Sequence, residues 1–407
     1  MVRFPVVAAL ALGLLVLWPG AAGGGSANVA VVVEHDLYAS GAIGAGLTQY
    51  LADITAQGYS PIVVTGFTST SSPAGLRQLL TTCYNTQGLA GAVLIGHLPV
   101  QNVYTAEGGG IAGESHPSDL YYTDLDGSWT VSGAHGTLPD DHTDEDGDVG
   151  PEIWLGRLTT WNLTLLHPGR TEAGLLNTYF ARNHAYRTGA LTVPRTGLAY
   201  TDDPWMYTAQ WRATVLGMAV DGPVTNVWND PATEADETTA ADYMWRLANE
   251  SYEHALVATH SSSQAHSMNG SVSNGDLEDL DPQVLFYNLY ACSAAKYTDF
   301  GYMAGEYVFG DGLGLVAVGS AKTGGMMSNL MDEYFAPLGQ GATFGQAMLD
   351  WWNTGVDPDG HIDSERAWLY GMTLVGDPLL LAQRYIPEPA TLALLAAGAA
   401  GLILRRR

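Results

Sequence analysis

The stretch from Glu253 to Ser293 decides the reading of this chain. Within it, Ala255-Leu256-Val257-Ala258-Thr259 stops at His260, and Val284-Leu285-Phe286-Tyr287-Asn288-Leu289-Tyr290-Ala291 stops at Cys292. Both runs are apolar, rich in β-branched and aromatic residues, and bounded by Ser, Gly, Asn and Asp, which is the pattern of buried strands in a parallel sheet. Open α/β sheets gather their ligands at the carboxyl ends of such strands. A thiol and an imidazole each one step past a strand can therefore share a crevice, as nucleophilic thiol catalysis requires.

The same pattern extends in both directions. Strands are expected at 28–34, 60–66, 90–96, 152–157, 197–200, 224–228 and 313–320. Helices are expected at 43–57, 76–85, 171–186, 204–218, 238–250 and 343–353. Alternation at this spacing predicts an α/β fold built from right-handed βαβ units, mostly parallel sheets flanked by helices in two adjacent subdomains, 28–190 and 191–385. The tract Thr188–Arg195, with Gly189 and Pro194, marks the boundary. Trp351 and Trp352 fall on a helical pattern and read as packing residues.

With 407 residues, 46% hydrophobic and 14% charged, the chain can bury a large core. Its formal charge of −26 disfavours nucleic acid and anionic lipid and favours cations. After Gly96 the alternation dissolves for about fifty residues, too long for a simple connector. Within that segment Asp144, Asp146 and Asp148 alternate beside Gly147, a spacing suited to a Ca²⁺ ion held structurally, or to a solvated acidic turn. His142, among these carboxylates, reads as a charged loop histidine or a metal ligand. The chemistry proposed at Cys292 needs no cofactor.

Both chain ends carry targeting signals. Residues 1–27 have a positive start, an apolar stretch and small residues, the order of a secretory signal peptide, with a membrane anchor as the alternative. At the other end, Pro387-Glu388-Pro389 precedes an apolar run from Leu392 to Leu404 and the cluster Arg405-Arg406-Arg407. This tripartite tail, 386–407, resembles the PEP-CTERM sorting signal of Gram-negative bacteria. The resemblance implies removal by an exosortase, transient membrane association through the tail, and delivery to the cell surface, outer envelope or extracellular matrix. A plain tail anchor is the alternative. Export makes a disulfide between the two cysteines, Cys83 and Cys292, a possibility to weigh. Cys83 also lies on a helical pattern, where a buried thiol is expected.

The block ending in His260 and the block ending in Ala291-Cys292 together resemble the caspase-type cysteine peptidases, and within them the gingipain-like branch. Three further segments carry the resemblance: Ser118 to Gly127, Asp146-Gly147-Asp148 with Pro151 to Arg157, and Tyr370 to Pro378. It implies a cysteine endopeptidase acting on protein or peptide, with Cys292 as nucleophile and His260 as general acid/base. Backbone N–H groups of Ser261 and Cys292 would stabilise the oxyanion. Gly usually follows the His in this family; Ser261 stands there instead, so the role depends on whether the local φ suits a residue with a Cβ. No third residue presents itself to orient His260. His266 is a second candidate for the imidazole partner, read first as lining the cleft or making a loop hydrogen bond; Ser320 is expected to belong to a cleft wall, and a serine-hydrolase elbow is absent because Ser320 lacks its second glycine. The rival readings are an inactive surface or matrix relative and a Ca²⁺-stabilised adhesive protein. A basic side chain before the scissile bond suits the acidic charge.

Overall fold

The structure is a computed structural model that describes residues 27–144, 147–164, 169–230, 238–324, 330–355 and 362–382. The expected signal peptide, the sorting tail and Asp146 lie outside these residues. Ten strands form one sheet, in the order Val224–Trp228, Gly197–Thr201, Tyr252–Ala258, Val284–Tyr290, Val316–Ser320, Met372–Gly376, Trp154–Leu158, Leu89–Ile95, Asn28–Val33, Ser60–Val64. The first five strands in this order pair in parallel, as do the last four.

The strand at Met372–Gly376, which the sequence pattern does not announce, is the seam between the two groups. It pairs antiparallel with Val316–Ser320 over five residues and meets Trp154–Leu158 at Val375–Arg157. Gly156 makes room for this join, since a Cβ there would fall 2.7 Å from the Gly376 carbonyl oxygen and clash with Pro378.

Alternation along the first strand shows how the layers form. Val29, Val31 and Val33 belong to a cluster that includes Leu47, Tyr50 and Ile54 of the helix Gly44–Ala56 and Tyr179 and Phe180 of Glu172–Arg187. Ala30 and Val32 belong to the opposite one, with Leu76, Leu80 and Cys83 of Pro73–Gln87. Period-two alternation thus assigns one set of side chains to each face, and each fully buried valine contributes about 1.5–3 kcal/mol. Pro73–Gln87 starts sharply because Ser72 caps it and Pro73 occupies the first turn, and it stops at Gly88 in the left-handed region.

The long segment after Gly96 is built of short pieces: hairpins pairing Asn102–Thr105 with Glu114–Pro117 and Ser128–Thr130 with Asp141–Thr143, and the helical turn Leu120–Thr123. Asp119 anchors it. Its Oδ1 accepts from Arg157 Nε (2.7 Å) and from the Tyr297 hydroxyl (3.1 Å) and stands 2.7 Å from Arg157 Nη2 as an ion pair, while Thr373 Oγ1 donates to Oδ2. The Arg157 guanidinium also lies 4.2 Å from the Tyr297 ring centroid. One buried ion pair thereby ties together the loop, a strand of the N-terminal group, the seam strand and the segment after Cys292. Among the described residues, no helix is long and apolar enough to cross a membrane.

Candidate active site

Strand order locates the site. From Gly197–Thr201 the chain moves outward to Val224–Trp228, then returns to the other side of Gly197–Thr201 with Tyr252–Ala258 and continues inward to Val284–Tyr290. Open α/β sheets bind their ligands at such a reversal, here at the carboxyl ends of Gly197–Thr201 and Tyr252–Ala258. Ala258 is in register with Thr201 on one side and Tyr290 on the other. His260 and Cys292 therefore lie equal distances past level strand ends, on neighbours about 4.8 Å apart. The Thr259 N–H donates to the Tyr290 carbonyl (3.2 Å), carrying the alignment beyond the ladder.

His260 is exposed, and its ring leans on Trp205 with centroids 4.7 Å apart. Trp205, from the turn Asp203–Thr208, in turn meets Tyr290 edge-on. Asp202 begins that turn. Its N–H donates to the Ala258 carbonyl (2.9 Å), and its carboxyl, only 6% exposed, accepts weakly from Thr259 Oγ1 (3.4 Å). Burial pushes this carboxyl up, while the Asp203 amide, Thr259 and the charge of His260 draw it back. An acid that senses the imidazole from the next strand end is suited to orienting it. The strand-end rule that picks out His260 and Cys292 also picks out Asp202, immediately after Thr201, so the signal was present.

Cys292 is a free, half-buried thiol. Its sulfur accepts from the Gly324 N–H (3.4 Å), and Ser293 turns the chain away with φ of 55°. Cys83 is also free and is buried in the helix Pro73–Gln87, where burial raises its pKa.

Ser261 lies in the short strand His260–Ser261 and is not among the residues with positive φ. A Cβ is therefore tolerated where the family usually has glycine. Ser262 N–H donates to Ala265 O (2.9 Å), closing the hairpin at that pair. Alternation in an antiparallel ladder then leaves Ser261, paired with His266, in a position whose N–H points away from its partner strand.

Two expected cleft residues are placed differently. His266 is fully buried below the hairpin, stacked on Tyr307, and burial pushes its pKa down to about 3, so it is a neutral interior group. Ser320 is also buried; its hydroxyl donates to the Lys322 carbonyl (2.9 Å) and accepts from the Lys322 N–H (3.0 Å), shaping a turn instead of lining a hollow.

The acidic loop is also rearranged relative to expectation. Asp144 and Asp148 are exposed, and the carboxylate oxygens that converge are those of Asp124, Asp126 and Glu152, all within 4.8 Å of one another. The Leu125 N–H donates to Glu152 Oε2 and the Asp148 N–H to Asp126 Oδ1 (3.2 Å), folding the 148–152 segment back onto residues 124–126. Such a cluster presents the hard oxygen donors that Ca²⁺ takes. Burial pushes Glu152 up to about 7, helped by the charges of Asp124, Asp126 and Asp148. Asp124 is already engaged by the Gly127 N–H (2.7 Å) and by His142. His142 is buried, not a loose loop residue: Nε2–H donates to Asp124 Oδ2 (2.5 Å), Tyr370 O–H donates to Nδ1 (2.7 Å), and Trp129 stacks on the ring.

Comparison with known proteins supplies the context. Residues 386–407 match the PEP-CTERM protein-sorting motif, a mark of exported proteins in Gram-negative bacteria. A comparison with curated protein sequences finds no match. Among solved structures, the Arg-specific cysteine proteinase gingipain R superposes with a TM-score of 0.57 at 14% identity, covering 88% of this chain and 78% of that one. The complex of Porphyromonas gingivalis RgpB pro- and mature domains gives 0.58 at 14% identity, covering 88% and 80%. A further structure described as a protease gives 0.57 at 14%, covering 89% and 79%. The chain thus has the gingipain fold.

Proposed function

We propose that this chain is an exported cysteine endopeptidase of the gingipain-like type, with Cys292 as nucleophile and His260 as general acid/base. The observation that carries the proposal is the level register of Ala258 and Tyr290, which brings an imidazole and a free thiol to one rim. The fold shared with cysteine proteinases supports it.

In the reaction, the Cys292 sulfur attacks the peptide carbonyl carbon, forming a C–S bond and an oxyanion that the Ser261 and Cys292 N–H groups receive. Collapse breaks the C–N bond, and His260 gives its proton to the departing amine. His260 then takes a proton from water, whose oxygen displaces the sulfur from the thioester and releases the acid. Asp202, one residue past the neighbouring strand, is the acid placed to orient the imidazole through its charge. The tail implies exosortase processing and delivery to the cell surface, outer envelope or extracellular matrix. The chain's formal charge of −26 favours a basic side chain before the scissile bond.

The test is Cys292→Ala, which abolishes cleavage of a mixed peptide library while leaving thermal unfolding unchanged. Undiminished turnover in that variant removes the assignment.

A further inference from the structure

The turn that follows Val316–Ser320 is fastened around the nucleophile. Ser293 N–H donates to Lys322 O and Ala295 N–H to Ser320 O, both at 2.8 Å, so the residues just after Cys292 hang from this turn. Gly324 N–H donates to the sulfur itself. Within the turn, the Lys322 side chain is completely buried. Its ammonium donates to the carbonyls of Thr323 and Ala367, each at 2.5 Å, and stands 3.7 Å from Glu114 Oε1. Glu114 Oε1 also accepts from the Thr323 N–H (2.8 Å), so the same carboxylate secures both the charge and the turn.

A buried ammonium is expensive unless something nearby uses its charge. Burial draws the Lys322 pKa down, and Glu114 draws it back up with a smaller contribution from Cys292, whose neighbours Ser293 and Ala295 are hydrogen-bonded to the same turn. Among the described residues, the other charged or titratable groups near the thiol are His260, level with it on the neighbouring strand end, His116, held neutral with its pKa pushed down to about 3 by burial, and Lys296, paired with Asp299 at 3.6 Å. Among these groups, only Lys322 is both cationic and anchored in the turn that touches the sulfur.

We propose that Lys322, held by Glu114, is a positioning residue that stabilises the thiolate form of Cys292 together with the Gly324 N–H. Its role in catalysis rests on the peptidase reading; the electrostatic effect on the sulfur does not. A cation beside a thiol increases the fraction ionised at neutral pH.

The experiment follows the rate of iodoacetamide addition to Cys292 from pH 5 to 9, read by mass spectrometry of the peptide containing it. It compares the wild-type chain with Lys322→Met, Lys322→Arg and Glu114→Gln. Lys322→Met, nearly isosteric and neutral, lowers the rate at pH 7 by about tenfold and moves the profile to higher pH. Lys322→Arg retains most of the wild-type rate. Glu114→Gln keeps an oxygen for Thr323 but leaves Lys322 without its counter-charge, and shifts the profile to lower pH. If Lys322→Met does not fold, the direction of the Glu114→Gln shift decides alone. A folded Lys322→Met whose profile overlays the wild type overturns the inference, as does a Glu114→Gln profile that moves upward. A Lys322-dependent profile in a chain that cleaves no peptide leaves this inference standing and removes the peptidase reading. Peptide cleavage with a profile indifferent to Lys322 does the reverse.

Discussion

Removing Asp119 tests whether the joint between the two strand groups is electrostatic. Asp119 is 6% exposed and Arg157 1%, and the two meet through paired contacts of 2.7 Å, with Tyr297 and Thr373 completing the carboxylate shell. Asp119→Leu strands a buried guanidinium, a change that costs about 3–5 kcal/mol when one partner of such a pair is lost. Arg157→Met alone strands the carboxylate, although Tyr297 and Thr373 still donate to it, which places its effect at the lower end of that range. Asp119→Leu/Arg157→Met removes both charges and lets apolar groups fill the space, so the double variant loses much less than the sum of the singles. The residues touch, and strong non-additivity is the expected signature. Urea unfolding followed by tryptophan fluorescence measures all four proteins. Additive losses, or an Asp119→Leu loss under about 1 kcal/mol, would refute the reasoning that charge compensation at this joint holds the sheet together. Because Tyr297 lies five positions past Cys292, Asp119→Leu also slows alkylation of Cys292.

The remaining predictions concern the site and its pH behaviour. Asp202→Asn lowers kcat about 10–100-fold while KM stays within about twofold, because the variant loses orientation of His260 and not substrate binding; an unchanged kcat removes Asp202 from the site. Glu306 is 1% exposed, and burial outweighs its 2.9 Å pairing with Arg170 to push its carboxyl up to about 7. The folded chain therefore keeps a proton that the unfolded chain releases near pH 4.3. The corresponding stability, about 4 kcal/mol at most, is complete below pH 4.3 and is lost as pH rises through 7. Glu306→Gln flattens that slope in urea titrations, and an unaltered slope contradicts the assignment. Ca²⁺ raises the melting temperature through Asp124, Asp126 and Glu152, and its affinity weakens as pH falls from 8 to 6, since Glu152 near 7 then takes up a proton. EDTA without effect on melting, or Glu152→Gln with wild-type calcium response, rejects that site.

What the sequence determined by itself is the set of strands and two of their ends. The runs before His260 and Cys292, and those beginning at Asn28, Leu89 and Gly197, are buried over nearly their whole length because both faces of the sheet are covered, and local composition records that burial, while the edge strands beginning at Ser60 and Val224 are partly exposed. The sorting tail was equally legible, being a contiguous signal. Tertiary structure alone decided where Met372–Gly376 inserts, since five residues carry too little pattern to reveal a seam between distant strands. It also decided which acids converge: among the described residues, the carboxylates of Asp124, Asp126 and Glu152 meet, from segments more than twenty residues apart. The burial of His266 and the hydrogen bond from the Gly324 N–H to the Cys292 sulfur belong to the same class. Each depends on contacts between segments far apart in the chain or on which way a strand faces, and neither periodicity nor residue type encodes the partner.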